Sequence, residues 1–127
     1  MRALIAEDEW LIAFALRRQL EREGWVVVGV ARDGEEAVDL CCRQRPDLVL
    51  MDVRMPKRDG IEATRRIMAE CPACVVMLTA RTEADQVALS EDAGAMGHLV
   101  KPVSTEALLR AIGEARARYD AARTDSG

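Results

Sequence analysis

The sequence lacks a surplus of positive charge. Its 22 acidic residues outweigh 18 basic ones for a net charge of −4. A surface that coats nucleic acid needs a dense basic stripe, so no nonspecific DNA or RNA binding is expected. A long apolar run is also missing. MRALIAEDEW begins like a basic-then-apolar leader, but Glu7, Asp8 and Glu9 interrupt it too soon for a secretory core. No stretch is long enough to cross or anchor to a bilayer. Repeats, linkers and a second domain are absent as well. The acidic segments have no histidine or thiol beside them to recruit zinc.

What remains is a chain of 127 residues, half of them hydrophobic, which is enough for one domain with a core of its own. The four cysteines stand adjacent at Cys41 and Cys42 and as C-x-x-C at Cys71 and Cys74. A thioredoxin-like site has its C-x-x-C opening a helix after a strand, whereas Cys71-Pro72-Ala73-Cys74 closes a helical stretch and opens a strand. Adjacent cysteines leave a helix about 100° apart and bite one ion poorly. The cysteines therefore read as small core residues with free thiols, which suits a reducing cytoplasm.

Short runs rich in Val, Ile and Leu recur at Ala3 to Ala6, Trp25 to Val30, Leu48 to Met51, Val75 to Leu78 and His98 to Val100. They lack polar alternation, as strands do when a parallel sheet is covered on both faces. Helical patterns lie between them. Ile12, Leu16 and Leu20 share one face before Gly24. Asp33 with Glu36 and Asp59 with Glu62 form capping boxes, the first opening a helix that buries Ala37, Val38, Cys41 and Cys42 before Pro46. The second leads into Ile61, Thr64, Met68 and Cys71. A weaker fourth helix is expected from about Thr82 to Asp92. A fifth starts at Ser104 or Thr105 and carries Leu108, Ile112, Ala115 and Tyr119 on one stripe. Five strands alternating with five helices give a doubly wound α/β fold. The flavodoxin-like (βα)5 order 2-1-3-4-5 is the expected five-stranded parallel sheet.

In such a sheet, ligands bind beyond the carboxyl ends of the strands. The stretch DLVLMDVRMPKRDG delivers Asp52 there at the end of a buried run. The other central strands end in Glu7-Asp8, Thr79 and Lys101-Pro102. Three converging carboxylates repel one another unless a cation joins them, and Mg2+ suits carboxylates, a carbonyl and retained waters. Asp52 can then act as a nucleophile, Thr79 as a hydroxyl donor and Lys101 as a neutralising cation toward a phosphoryl group. Taken singly, Asp8 reads more readily as a helix cap, Thr79 as an ordinary strand residue and Lys101 as a solvated end. Their coincidence on four central strands favours the site.

With LIAEDE, DLVLMDVRMPKRDG, VVMLTA and GAMGHLVKP in this order, residues 1–119 resemble the receiver domain of two-component response regulators. The resemblance implies that Asp52 is phosphorylated by a sensor histidine kinase or a histidine phosphotransfer protein. Asp8, Asp52 and the Arg54 backbone carbonyl would ligate Mg2+ directly, and Glu7 through water. Thr79 and Lys101 would contact the phosphoryl group, with Ala80 leaving it room and a cis Lys101-Pro102 bond aiming the lysine inward. Phosphorylation would draw Thr79 inward and alter the surface of helix four, strand five and helix five. Output would pass to a downstream protein or to an effector domain on a longer polypeptide, with helix five a candidate for phosphorylation-dependent dimers. The chain would be a cytoplasmic acceptor switch rather than an enzyme, with residues 120–127 a frayed tail.

Two features depart from the family pattern. His98 occupies the switch position where Tyr or Phe is usual, and reads as a partly buried ring filling the same space. Arg54 and Arg81 flank the site, either as solvated side chains or as screens against attacking water. Rival readings fit less well. A dehalogenase-type phosphatase needs D-x-D, and Arg54 stands where its general acid belongs. A flavin carrier needs a hydroxyl-rich phosphate loop where this chain has EDEW. A receiver-like module that binds partners without phosphorylation is weakened by the full set of side chains.

Overall fold

Leu48–Asp52 (β3) and Val75–Thr79 (β4) are buried at every residue, the pattern of strands covered on both faces. Around them run β1 (Arg2–Ala6), α1 (Trp10–Arg22), β2 (Val26–Ala31), α2 (Gly34–Gln44), α3 (Gly60–Glu70), α4 (Asp85–Ala93), β5 (Gly97–Val100) and α5 (Thr105–Ser126). The computed structural model describes residues 1–80 and 85–126, the side chains of 85 and 124–126 excepted. All strand pairs are parallel, in the order β2-β1-β3-β4-β5, so the flavodoxin-like prediction holds. Among the described residues no helix is long and apolar enough to cross a membrane.

The strands split their side chains between two cores, because successive residues point to opposite faces. Leu4, Val49, Met51, Val75 and Met77 pack with Ala37, Cys41, Ile61 and Ile67 of α2 and α3. Ala3, Ile5, Leu48, Leu50, Val76 and Leu78 pack on the other face with Leu16 and Leu20 of α1 and Leu108, Ile112 and Ala115 of α5. Full burial of each large apolar side chain contributes about 1.5–3 kcal/mol. The N-cap half of each capping box forms: Asp33 accepts from the Glu36 amide at 2.8 Å and Asp59 from the Glu62 amide at 2.9 Å. Ser104 caps α5, its hydroxyl accepting from the Ala107 amide at 3.1 Å.

Some helix readings shift. In α1, Leu16 and Leu20 are buried as expected, but the first buried position is Ala13, with Ile12 only partly covered. In α3, Ala63 and Ile67 join Ile61 and Thr64 in the core while Met68 is half-covered. The anchor of α4 is polar: Ser90 is buried, donating to the Gln86 carbonyl at 2.7 Å, whereas Leu89 is exposed. The expected start of that helix at Thr82 lies outside the described residues. The backbone of α5 is helical to Ser126, through most of the predicted tail.

The cysteine expectation is corrected. Cys42 and Cys71 are joined by a disulfide with their Cα atoms 5.2 Å apart, so only Cys41 and Cys74 are free thiols, both buried. The cause is tertiary. α2 and α3 lie side by side, which brings the last turn of one against the C-cap of the other, and no spacing within either motif announces that pairing. The C-x-x-C pair itself is divided, because Cys71 is bonded to Cys42 of α2 while Cys74 packs in the α1/α5 core.

Candidate functional site

Four strand ends build the site. β1 runs through Ala3–Ala6, all fully buried, and delivers Glu7, whose amide donates to the Ala31 carbonyl of β2 at 2.9 Å. That bond extends the ladder by one residue and fixes Glu7 where only 1% of it meets solvent. Asp8 follows, exposed, just before α1. β3 ends in Asp52, 5% exposed. The chain then turns back sharply: the Gly60 amide donates to the Val53 carbonyl at 2.8 Å, and a Cβ on Gly60 would collide with the Asp52 carbonyl oxygen. The turn around Asp52 therefore requires glycine at the start of α3.

β4 ends in Thr79, buried, its hydroxyl donating to the Leu99 carbonyl at a long 3.4 Å. Beyond β5, the Lys101 amide donates to the Thr79 carbonyl at 2.9 Å, and the Lys101-Pro102 bond is cis, as the family resemblance implies. The Lys101 ammonium lies 2.7 Å from Glu7 Oε1 and 3.1 Å from Asp52 Oδ1. Glu7, Asp8 and Asp52 each offer a carboxylate oxygen, and these oxygens lie within 4.8 Å of one another. The structure thus brings Glu7, Asp8, Asp52 and Lys101 to one point, with Thr79 on the neighbouring strand end.

The electrostatics are under tension. Burial pushes the Glu7 carboxyl up from an ordinary 4.5 to about 7; Lys101 pulls it back and the neighbouring Asp52 pushes it further. Burial works against the Lys101 charge, yet the Glu7 carboxylate and Asp52 outweigh it and hold the ammonium above its usual range. Glu7 Oε1 is buried with no hydrogen bond beyond this ion pair. One ammonium is shared by two buried carboxylates, and an all-oxygen donor set with one solvent-facing member fits a hard divalent cation better than zinc.

The remaining predicted residues stand around this centre. Arg54 is exposed two residues beyond Asp52, and Ala80 is exposed beside Thr79. Arg81 lies outside the described residues. His98 is half-buried on β5, opposite Met77 of β4, with Nε2 buried and, among the described residues, without a hydrogen-bond partner. Burial lowers its pKa, Glu91 opposing and Arg118 reinforcing. It lines a surface hollow with Glu91, Met96 and Arg118.

Two contacts were not read from the sequence. Lys57, at φ 65°, reaches Asp33 Oδ2 at 3.7 Å, tying the α2 cap to the loop after Asp52. Trp10 and Phe14 are exposed on α1, sharing with Asp8 and Arg32 a groove at the edge of the acidic cluster. The aromatics fall on the outer face of α1, among exposed Arg17, Arg18 and Glu21 and away from its buried stripe.

A family model described as the response regulator receiver domain matches residues 3–113. The transcriptional regulatory protein PdtaR of Mycobacterium tuberculosis is 50% identical over 118 residues, covering 93% of this chain and 58% of that protein. A protein-glutamate methylesterase/protein-glutamine glutaminase of Haloarcula marismortui is 46% identical over 104 residues, 80% of this chain and 28% of the enzyme. The chain thus spans well under two thirds of these relatives. The crystal structure of the response regulator domain of Thermotoga maritima CheB superposes with a TM-score of 0.85 at 30% identity, covering 92% of this chain and 96% of that one.

Proposed function

We propose a function from this premise: the chain belongs to the receiver domain family of two-component response regulators. On our reading, Asp52 accepts a phosphoryl group from a phosphohistidine on a sensor kinase or a histidine phosphotransfer protein. A carboxylate oxygen of Asp52 forms the new O–P bond while the N–P bond to the donor imidazole breaks, its electron pair leaving with the ring. The observation that carries this reading is a buried carboxylate at a strand end, 3.1 Å from an ammonium and clustered with two further carboxylates.

Glu7, Asp8, Asp52 and the Arg54 backbone carbonyl would hold Mg2+, which when bound supplies charge neutralisation between Asp52 and the incoming phosphoryl oxygens. Lys101 is positioned to neutralise a phosphoryl oxygen once its share of Asp52 is released. Among the described residues the Thr79 hydroxyl donates one long hydrogen bond, to Leu99, which it would give up at small cost on turning inward. Its movement would open space that His98 fills, altering the α4–β5–α5 surface.

This chemistry makes the chain a phosphoryl acceptor whose only turnover is its own phosphorylation and dephosphorylation, working in the cytoplasm. Arg54 and Arg81, flanking Asp52, would set the lifetime of the acyl phosphate by screening water. The altered surface would act on a downstream protein, on an effector domain of a longer polypeptide, or between two receivers through α5. Intact mass after incubation with acetyl phosphate and Mg2+ tests the proposal. One phosphoryl mass should appear on the wild type and not on Asp52→Asn, and equal uptake by both would overturn it.

A further inference from the structure

The phosphoacceptor loop is gripped by two helix starts. Gly34 opens α2 against the Arg58 carbonyl, where a Cβ would collide, and Gly60 opens α3 against the Asp52 carbonyl in the same way. Lys57 of the loop pairs with the α2 cap Asp33 at 3.7 Å. At the other end of the two helices, Cys42 and Cys71 join α2 to α3 covalently. The bond and the loop therefore hold opposite ends of one helix pair.

The two sulfurs differ in access. Cys71 is buried, while Cys42 is half-covered and lines a surface hollow with Arg58, Arg66 and Glu70. A small thiol can reach Cys42 without unfolding the domain. The adjacent Cys41 does not compete. It is fully buried, its sulfur 3.8 Å from the Cys71 carbonyl, and burial pushes its thiol up to about 11.

We propose that Cys42 and Cys71 form a reversible redox clasp, exchanged by small thiols and disulfides, that restrains the Asp52–Gly60 loop and so sets how fast Asp52 is phosphorylated. The last step rests on the function proposed above. To close the clasp, a Cys42 thiolate attacks a small disulfide and one small thiolate leaves. The Cys71 thiolate then attacks the mixed disulfide at Cys42 and the second small thiolate leaves. Two protein thiols lose two electrons and two protons, and the small disulfide becomes two thiols; opening reverses both steps. In a reducing cytoplasm the clasp rests open and closes as disulfides accumulate.

The test equilibrates the full chain in glutathione buffers from reduced to oxidised, followed by acid quenching and peptide mapping. A single reversible transition should cross-link Cys42 to Cys71, leaving Cys41 and Cys74 as thiols. Oxidised protein should resist denaturant, its unfolding constant falling on the order of a hundredfold, and amide exchange across Val53–Gly60 should slow. Both differences should vanish in Cys42→Ser and in Cys71→Ser, and the wild type compared with itself needs no variant to fold. Phosphorylation by acetyl phosphate should differ in rate between the two redox forms. Thiols that persist in oxidising buffer, a bond that reopens only in denaturant, or equal exchange and phosphorylation rates in both forms would each overturn the proposal. If neither form takes up phosphate, the function proposed above fails, and the clasp is decided by titration and exchange alone.

Discussion

Lys101 and Glu7 form the tightest ion pair of the site, at 2.7 Å, closer than the 3.1 Å that separates the same ammonium from Asp52. Without a divalent ion, Lys101 is the only cation within ion-pair distance of either carboxylate among the described residues. Replacing it, as in Lys101→Met, leaves two buried carboxylates facing each other. The expected loss is about 1–3 kcal/mol of stability at pH 8 in metal-free buffer. At pH 5 the loss should shrink, because Glu7 takes up a proton and removes one of the charges. Urea denaturation at both pH values checks this, and an equal loss at the two would contradict it.

The Glu7 carboxyl also makes metal binding pH-dependent. Its folded value of about 7 lies above the ordinary 4.5, so its contribution to stability is full below about 4.5 and is lost as pH rises through about 7. A divalent ion requires the carboxylate. Mg2+ affinity should therefore climb between pH 5.5 and 7.5, by at most about tenfold per unit, and Mg2+ should restore the stability lost there. Trp10, two residues from Asp8 and exposed, offers a fluorescence readout. An affinity that is flat with pH would show that Glu7 does not take part.

Much of this was legible beforehand. Strand runs, both capping boxes and the α5 stripe rest on local chemistry that a sequence displays, and the strand ends followed from the parallel order. Four things were not. The Cys42–Cys71 bond depends on how α2 and α3 lie together, which no local spacing encodes. In α1, Leu16 and Leu20 are buried as expected, but Ala13 takes the place of Ile12 in the core, being small enough to pass for a neutral surface position. In α4, Ser90 hides its polarity in a hydrogen bond to Gln86, so an apolar search selects the exposed Leu89 instead. The share of Lys101 held by Glu7 was equally hidden, since sequence places both residues at strand ends without saying which carboxylate lies nearer.

Glycine separates the demands of the site from those of the fold. Gly60→Ala forces a Cβ against the Asp52 carbonyl and should cost about 1–3 kcal/mol while displacing the phosphoacceptor. Gly113 sits exposed within α5, and a Cβ there meets nothing within 4 Å. Gly113→Ala should stabilise the protein by about 0.5–1 kcal/mol. Thermal melts of the two variants should move in opposite directions. A Gly60→Ala protein as stable as the wild type would mean that the loop accommodates a side chain the structure leaves no room for.

The most direct measurement is chemical trapping of the acceptor. After exposure to acetyl phosphate and Mg2+, borohydride should reduce an acyl phosphate at position 52 to an alcohol, located by peptide mass in the segment Leu48 to Lys57. That mark is expected at Asp52 alone and should be lost without Mg2+. Reduction at Glu7 or Asp8 instead, or no mark on any carboxylate, would contradict it.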